Sequence, residues 1–240
     1  MTSWQGAMAL LRFEGRQSWI GLLITIAFYT YVNVIMLPVL QELLTSEGGG
    51  GFGWIGDFLY LTILPMMGFV MNRSMFRYWI QDPYTRKLAY WRTMPIGWDA
   101  IVLSRMLQHV IVMTFVAAYY FVLQYVLLGA IRELLSPGEY VLYALTWYGY
   151  ALMAGATYVF FEQTVRGKTY LAVCFGYVLV FVLLELLLRA TDTELLFRSI
   201  EEARGHRFAW PAVSLVLGAG ATALIGFSIR KRLAKRSLLL

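Results

Sequence analysis

The sequence predicts an all-α polytopic membrane protein: six transmembrane helices, an N-terminal interfacial helix, and a short helix between spans two and three. Three observations predict it. Hydrophobic residues make up 60% of the 240 residues and charged residues only 14%, against about 25% charged in a soluble domain. The apolar residues gather into six runs, at about 19–40, 55–72, 104–128, 140–161, 169–188 and 208–229. Lys and Arg are spread unevenly over the polar segments between those runs. Together they read as one transmembrane domain over 1–240.

Residues 1–18 precede the first run. On a helical wheel Gln5, Arg12 and Arg16 share one side, while Trp4, Met8, Leu10, Leu11 and Phe13 cover much of the rest. That pattern suits an amphipathic helix in the membrane interface; the alternative is a plain basic flank of the first span. A cleavable signal peptide is not expected, because the apolar run is too long and no small-residue cleavage site ends it. Trp19–Leu40 has no formal charge and is long enough to cross about 30 Å of hydrocarbon. Gln41–Asp57 follows as a flexible loop around Gly48–Gly51, with Glu42 and Glu47 but no Lys or Arg. The second run holds Pro65, which is expected to kink its helix.

Asp82–Pro95 is the most basic stretch before the C-terminus. Asp82 can cap free N–H groups, and Pro83 at the first helical position forfeits no hydrogen bond. Met94-Pro95 stops the helix, since proline disfavours helical backbone in the residue before it. About three turns lie between, too few to span a bilayer. Tyr84, Leu88 and Trp91 fall on one face and Arg86 and Tyr90 on the other. Tyr, Trp and Arg are the types enriched at interface hot spots, so a protein partner is one expectation. The other is that Arg86, Lys87 and Arg92 neutralise anionic lipid while Tyr84, Leu88 and Trp91 lie in the membrane interface.

In 185–207, Glu194, Arg198, Glu201 and Glu202 alternate with Leu195, Leu196, Phe197 and Ile200. A short amphipathic helix and an extension of the fifth span fit equally well. Ala151/Gly155 and Ala219/Ala223 have the four-residue spacing of close helix packing. Tyr119, Tyr120, Phe121, Tyr148 and Tyr150 suit interface belts and bundle packing, or a greasy substrate path. Six spans put both termini on one side of the membrane. That side holds fifteen Lys and Arg against five on the other, and four Asp and Glu against ten. By the positive-inside rule the termini and Asp82–Pro95 are cytoplasmic. The asymmetry also accounts for the net charge of +6 without nucleic acid.

Catalytic constellations are scarce. Asp57, Arg105, Glu162, Glu185 and Arg189 sit near span ends, whereas ionisable groups at span centres are the usual mark of relays and ion sites. His109, beside Gln108, lies about a turn inside the third span and suits a structural hydrogen bond between helices. With His206 the only other histidine, no His-rich metal site is expected. A lone cysteine, Cys174, excludes an intrachain disulfide. No serine–lysine or paired-aspartate arrangement lies within a span. No phosphate loop of the G-x-x-x-x-G-K-[ST] kind is present either, so ATP is not bound by that route. Glu201-Glu202 is superficially like the paired glutamates of CAAX-type membrane proteases, but His206 stands where that family has an arginine.

Arg92-Thr93-Met94-Pro95-Ile96-Gly97-Trp98, followed by Ile101 through Arg105, resembles the entry to the third span in type-2 ABC exporter permeases. Those are six-span subunits that pair with separate ATPases. The layout is similar over essentially the whole chain; Gly97 stands where serine is common. The resemblance implies a permease subunit, without enzymatic activity or cofactor of its own, in a bacterial plasma membrane. It implies export driven by a cytoplasmic ATP-binding subunit, and a homo- or heterodimer of permeases in membrane lipid. It further implies that the short helix is a coupling helix, with Tyr84, Arg86, Lys87, Tyr90, Trp91 and Arg92 against the ATPase. The scarcity of buried charge favours an amphipathic or hydrophobic cargo such as a lipid, drug or peptide. The alternatives are a non-transporting assembly, sensory or immunity factor, and an intramembrane protease.

Overall fold

The computed structural model describes residues 2–45, 53–72 and 82–235. The Gly48–Gly51 loop with Glu47, the part of the basic segment from 73 to 81, and Arg236 lie outside the described residues. Among those described there are helices and no strands. In chain order these are α1 (Ser3–Gln17), α2 (Trp19–Thr45), α3 (Gly53–Ile63), a 3₁₀ turn (Leu64–Gly68), α4 (Pro83–Arg92) and α5 (Trp98–Leu127). They continue with α6 (Gly129–Leu134), α7 (Pro137–Thr164), α8 (Gly167–Ala190), α9 (Leu195–Arg204) and α10 (Ala209–Leu233). Four of them, α2, α5, α8 and α10, are long and apolar enough to cross a membrane. The chain is an all-α, multi-pass membrane protein. Helix α7 has the length, at 28 residues, but Tyr140, Tyr143, Trp147, Tyr148 and Tyr150 lower its hydropathy.

The second apolar run is not the kinked helix expected over 55–72. Helix α3 ends at Ile63, tightens into the 3₁₀ turn, and the chain is non-helical from Phe69 to Asn72. Pro65 is the reason. In a continuous helix the Leu61 carbonyl would take the N–H of residue 65, and proline has none. Tyr150 of α7 supplies the missing donor, its hydroxyl donating to the Leu61 carbonyl at 2.7 Å. Tyr29 of α2 donates to the Ile63 carbonyl at 3.2 Å, and the Met71 N–H donates to Thr25 Oγ1 at 2.9 Å. Buried irregular backbone persists where the surrounding protein satisfies its polar groups.

Helix contacts are set by glycine where backbones must touch. Helices α7 and α10 cross with Gly149 against the Ser214 backbone, and a Cβ on Gly218 would sit 2.6 Å from the Gly149 carbonyl oxygen. Ser214 Oγ seals the crossing by donating to the Thr146 carbonyl at 2.6 Å. Of the expected Ala151/Gly155 and Ala219/Ala223 pairs, Gly155 does mark a close approach, though to a different neighbour. A Cβ there would sit 2.8 Å from the Pro65 carbonyl oxygen and against His109, while Ala219 is exposed. A small residue at helical spacing marks close approach only when it is on the face that meets a neighbour.

Residues 185–207 combine both expectations. Helix α8 runs to Ala190, and α9 is a separate helix. Its start is capped from far away: the buried Asp57 carboxylate accepts the N–H groups of Leu195 and Leu196 at 2.6 and 2.7 Å. Two free N–H groups and the positive helix end are satisfied by one carboxylate. The aromatic residues mostly pack. Tyr60, Tyr120 and Tyr140 gather around Gln124, with Tyr60 and Tyr140 donating to its Oε1 at 2.8 and 3.1 Å. Tyr119 and Tyr148 bond Thr30 and Thr114 across helices at 2.7 and 2.6 Å.

Removing the donor over the proline break has a measurable cost. Tyr150→Phe should destabilise the detergent-solubilised protein by about 1 kcal/mol, the size of a hydrogen bond between membrane helices. In a Pro65→Ala background, where residue 65 regains an N–H, the same change should cost markedly less. Denaturant titration of the four variants measures the difference.

Candidate partner interface

Helix α4 forms where expected, over Pro83–Arg92. Asp82 takes a left-handed conformation, with φ of 38°, and its Oδ1 accepts the Thr85 N–H at 3.3 Å. The Thr93 N–H folds back on the Tyr90 carbonyl at 3.1 Å, so the helix closes before Pro95.

Its two faces separate, but the inner face meets protein and not lipid. Leu88 and Trp91 are 1% and 3% exposed. They pack in a cluster with Leu10 of α1, Phe69, Ile101 of α5, Val159 of α7 and Leu233 of α10. This corrects the expectation that the pair rests in the membrane interface. An apolar helix face is satisfied by either environment, and here the ends of four other helices supply it. Trp91 is therefore not available to a partner. Tyr84 is half-buried, edge-on to Tyr170 of α8 at 6.0 Å between ring centres.

Lys87 is partly turned inward. Its ammonium pairs with the buried Glu14 of α1 and lies 4.6 Å from the Trp91 ring centre. Arg92 is exposed and lies over Trp98 at 4.6 Å. Arg86 and Tyr90 are exposed, Tyr90 by 59%. The outward face is thus Arg86, Tyr90 and Arg92, with the edge of Lys87. Of the six residues expected at an interface, three face fully outward.

Helix α1 braces the inner side. Thr2 and Gln5 form a capping box, the Gln5 N–H donating to Thr2 Oγ1 at 3.3 Å and the Thr2 N–H to Gln5 Oε1 at 3.1 Å. Gly6, Ala7 and Leu10 are buried, with Gly6 against Ala100 of α5. Trp4 and Phe13 stay 57% exposed on the other side. The end of α10 joins through Arg230, whose Nε is 2.5 Å from Asp99 Oδ1 in the first turn of α5.

Beneath α4 lies a buried ion pair. Arg105 of α5 donates from Nε to Glu162 Oε1 at 3.1 Å and from Nη2 to Oε2 at 2.5 Å, and from Nη1 to Gln108 Oε1 at 3.3 Å. Its guanidinium also lies 5.0 Å from the Phe69 ring centre. A cavity of about 270 Å³ bordered by Asn72, Tyr84, Lys87, Arg105 and Glu162 separates this pair from the helix. The two-point geometry and the extra amide acceptor offset the desolvation of both charges. The pairing of Arg105 with Glu162, and of Glu14 with Lys87, was not evident in the sequence. The available signal was sparse acid in basic segments: Glu14 and Glu162 are two of the four carboxylates in the polar segments that hold fifteen of the twenty Lys and Arg.

Other singled-out residues do not converge on this face. His109 is wholly buried, seated between Gly68 and Gly155 with its ring 5.7 Å from that of Phe69. Glu201 is exposed on α9, Glu202 pairs with Arg207 at 2.9 Å, and His206 pairs with Glu139 at 3.3 Å. Among the described residues no three His, Cys, Asp or Glu side chains gather to hold a metal ion. No protein-family model, curated protein or solved structure matches the chain.

The buried pair makes a sharp test. Arg105→Met or Glu162→Leu alone leaves an uncompensated buried charge and should cost about 3–5 kcal/mol. The double variant, with both charges gone, should recover most of that in denaturant titration.

Proposed function

We propose that the chain is the membrane permease subunit of an ATP-driven transporter of the type-2 ABC exporter kind. Six spans are formed by α2, α3 with its 3₁₀ turn, α5, α7, α8 and α10, in a bacterial plasma membrane. Both termini and α4 are cytoplasmic, the permease works as a homo- or heterodimer, and α4 seats in a groove of a separate ATPase. One observation carries the proposal: α4 has an outward face of Arg86, Tyr90 and Arg92 and an inner face locked into the ends of α1, α5, α7 and α10. A partner pressing on such a helix moves the helix ends it is set into, because the helix has no soft mounting of its own.

A second reading, transport driven by an ion gradient, is favoured by the break at Pro65. Discontinuous helices beside polar groups are a mark of that class. Reconstitution separates the two by energy source.

The test is to purify the chain from its native membrane and identify any ATPase that comes with it. The pair should co-elute, and Arg86→Glu with Tyr90→Ala should lower ATPase affinity at least tenfold while leaving the melting temperature unchanged. Leu88→Ala should instead lose about 2–5 kcal/mol of stability. Failure to recover any ATPase would sink the proposal, as would identical behaviour of the two kinds of variant.

A further inference from the structure

Where α9 meets the bundle, α7, α9 and α10 enclose a cavity of about 320 Å³. Trp147, Tyr150 and Met153 of α7 and Trp210, Val213 and Leu217 of α10 wall it. The hollow is apolar, and its polar groups are already occupied. The Trp147 indole N–H donates to Ser199 Oγ at 3.0 Å, and Ser214 is held by the Thr146 carbonyl. Apolar walls of this kind favour apolar ligands.

The mouth is different in character. Arg198 and Glu202 of α9 stand there with Arg207. Glu202 is committed to Arg207, whose Nη1 donates to both of its carboxylate oxygens at 2.9 and 3.2 Å. The Arg198 guanidinium is exposed, and no hydrogen bond, ion pair or ring contact holds it among the described residues. One net positive charge therefore faces an apolar hollow.

We propose that this cavity binds one acyl chain of an anionic phospholipid from the surrounding bilayer, with the phosphate against Arg198. Three features favour that occupant. The volume is about ten times the roughly 30 Å³ that one water molecule occupies in the liquid, which suits a single chain and not a whole lipid. Val213 and Leu217 are 57% and 54% exposed, so the cavity opens sideways toward hydrocarbon and a chain enters without crossing water. Trp147 and Trp210 sit beside the charged mouth, as aromatic residues do at head-group depth. A zwitterionic head group would bring its own cation toward Arg198, and a soluble anion would gain nothing from the apolar walls. The site stands apart from the transport proposal, since none of its residues belongs to α4.

Native mass spectrometry of the full chain in an uncharged detergent tests the site. Titration with phosphatidylglycerol should give at least fivefold greater retention than phosphatidylcholine of the same chains. Arg198→Gln, an exposed change, should reduce phosphatidylglycerol to the phosphatidylcholine level. Met153→Trp, filling the hollow, should lower retention of both lipids. Inorganic phosphate alone should leave the melting temperature unmoved. Equal retention of the two lipids by the unaltered chain would overturn the proposal. So would a head-group preference that survives Arg198→Gln. Stabilisation by phosphate without lipid would assign the mouth to a soluble anion and overturn it too.

Discussion

One missing N–H organises half of this protein. Pro65 cannot pair with the Leu61 carbonyl, and a buried carbonyl must find another donor. The hydroxyls of Tyr150 and Tyr29 take over at the break, which ties α3 to α7 and α2. The tight turn then brings Gly68 against His109 and the Pro65 carbonyl against Gly155. What emerges is an extended Phe69, and its ring becomes the floor under Arg105, Leu88 and Trp91. The seat of α4 is a consequence of the proline.

Charge completes that seat. Glu14, Lys87, Arg105 and Glu162 come from α1, α4, α5 and α7, and pair as Glu14 with Lys87 and Arg105 with Glu162. Arg105 and Glu162 are both buried, so each of those charges is costly alone and strongly held in its pair. The partly exposed Lys87 still brings its ammonium to the buried Glu14 carboxylate. The Glu14–Lys87 pair joins α1 to α4, and the Arg105–Glu162 pair joins α5 to α7, at the same end of the bundle. Asp57 does the corresponding work at the other end, fixing α9 by its first two N–H groups. Each end carries a short helix held from outside its own sequence neighbourhood.

Composition and run length made the long helices legible, since a charge-free stretch such as Trp19–Leu40 has few other uses. The α4 helix was legible from Asp82-Pro83 and Met94-Pro95, and its two faces from the spacing of Leu88 and Trp91. What covered the inner face was not. In a membrane protein lipid and protein interior are about equally apolar, so an apolar face does not announce which it meets. The Asp57 cap spans more than half the chain, and no local pattern links it to Leu195. Gly149 and Gly218 could not be told from other small residues without knowing which helices cross. The outward side of α4 was the most readable part of the candidate site, because exposure of Arg86 and Tyr90 follows from helical period alone.

The central claim is that α4 moves as one body with the helix ends it is set into. Pulsed electron paramagnetic resonance measures this in the complex with the proposed ATPase partner, using spin-label pairs on a Cys174→Ser background. One pair joins Thr93→Cys to Arg166→Cys, beside α4; the other joins Thr93→Cys to Arg204→Cys, at the far end. Adding ATP should leave the first distance distribution unchanged and shift the second. A first distance that changes while the second holds would mean that α4 flexes alone, and would contradict the account.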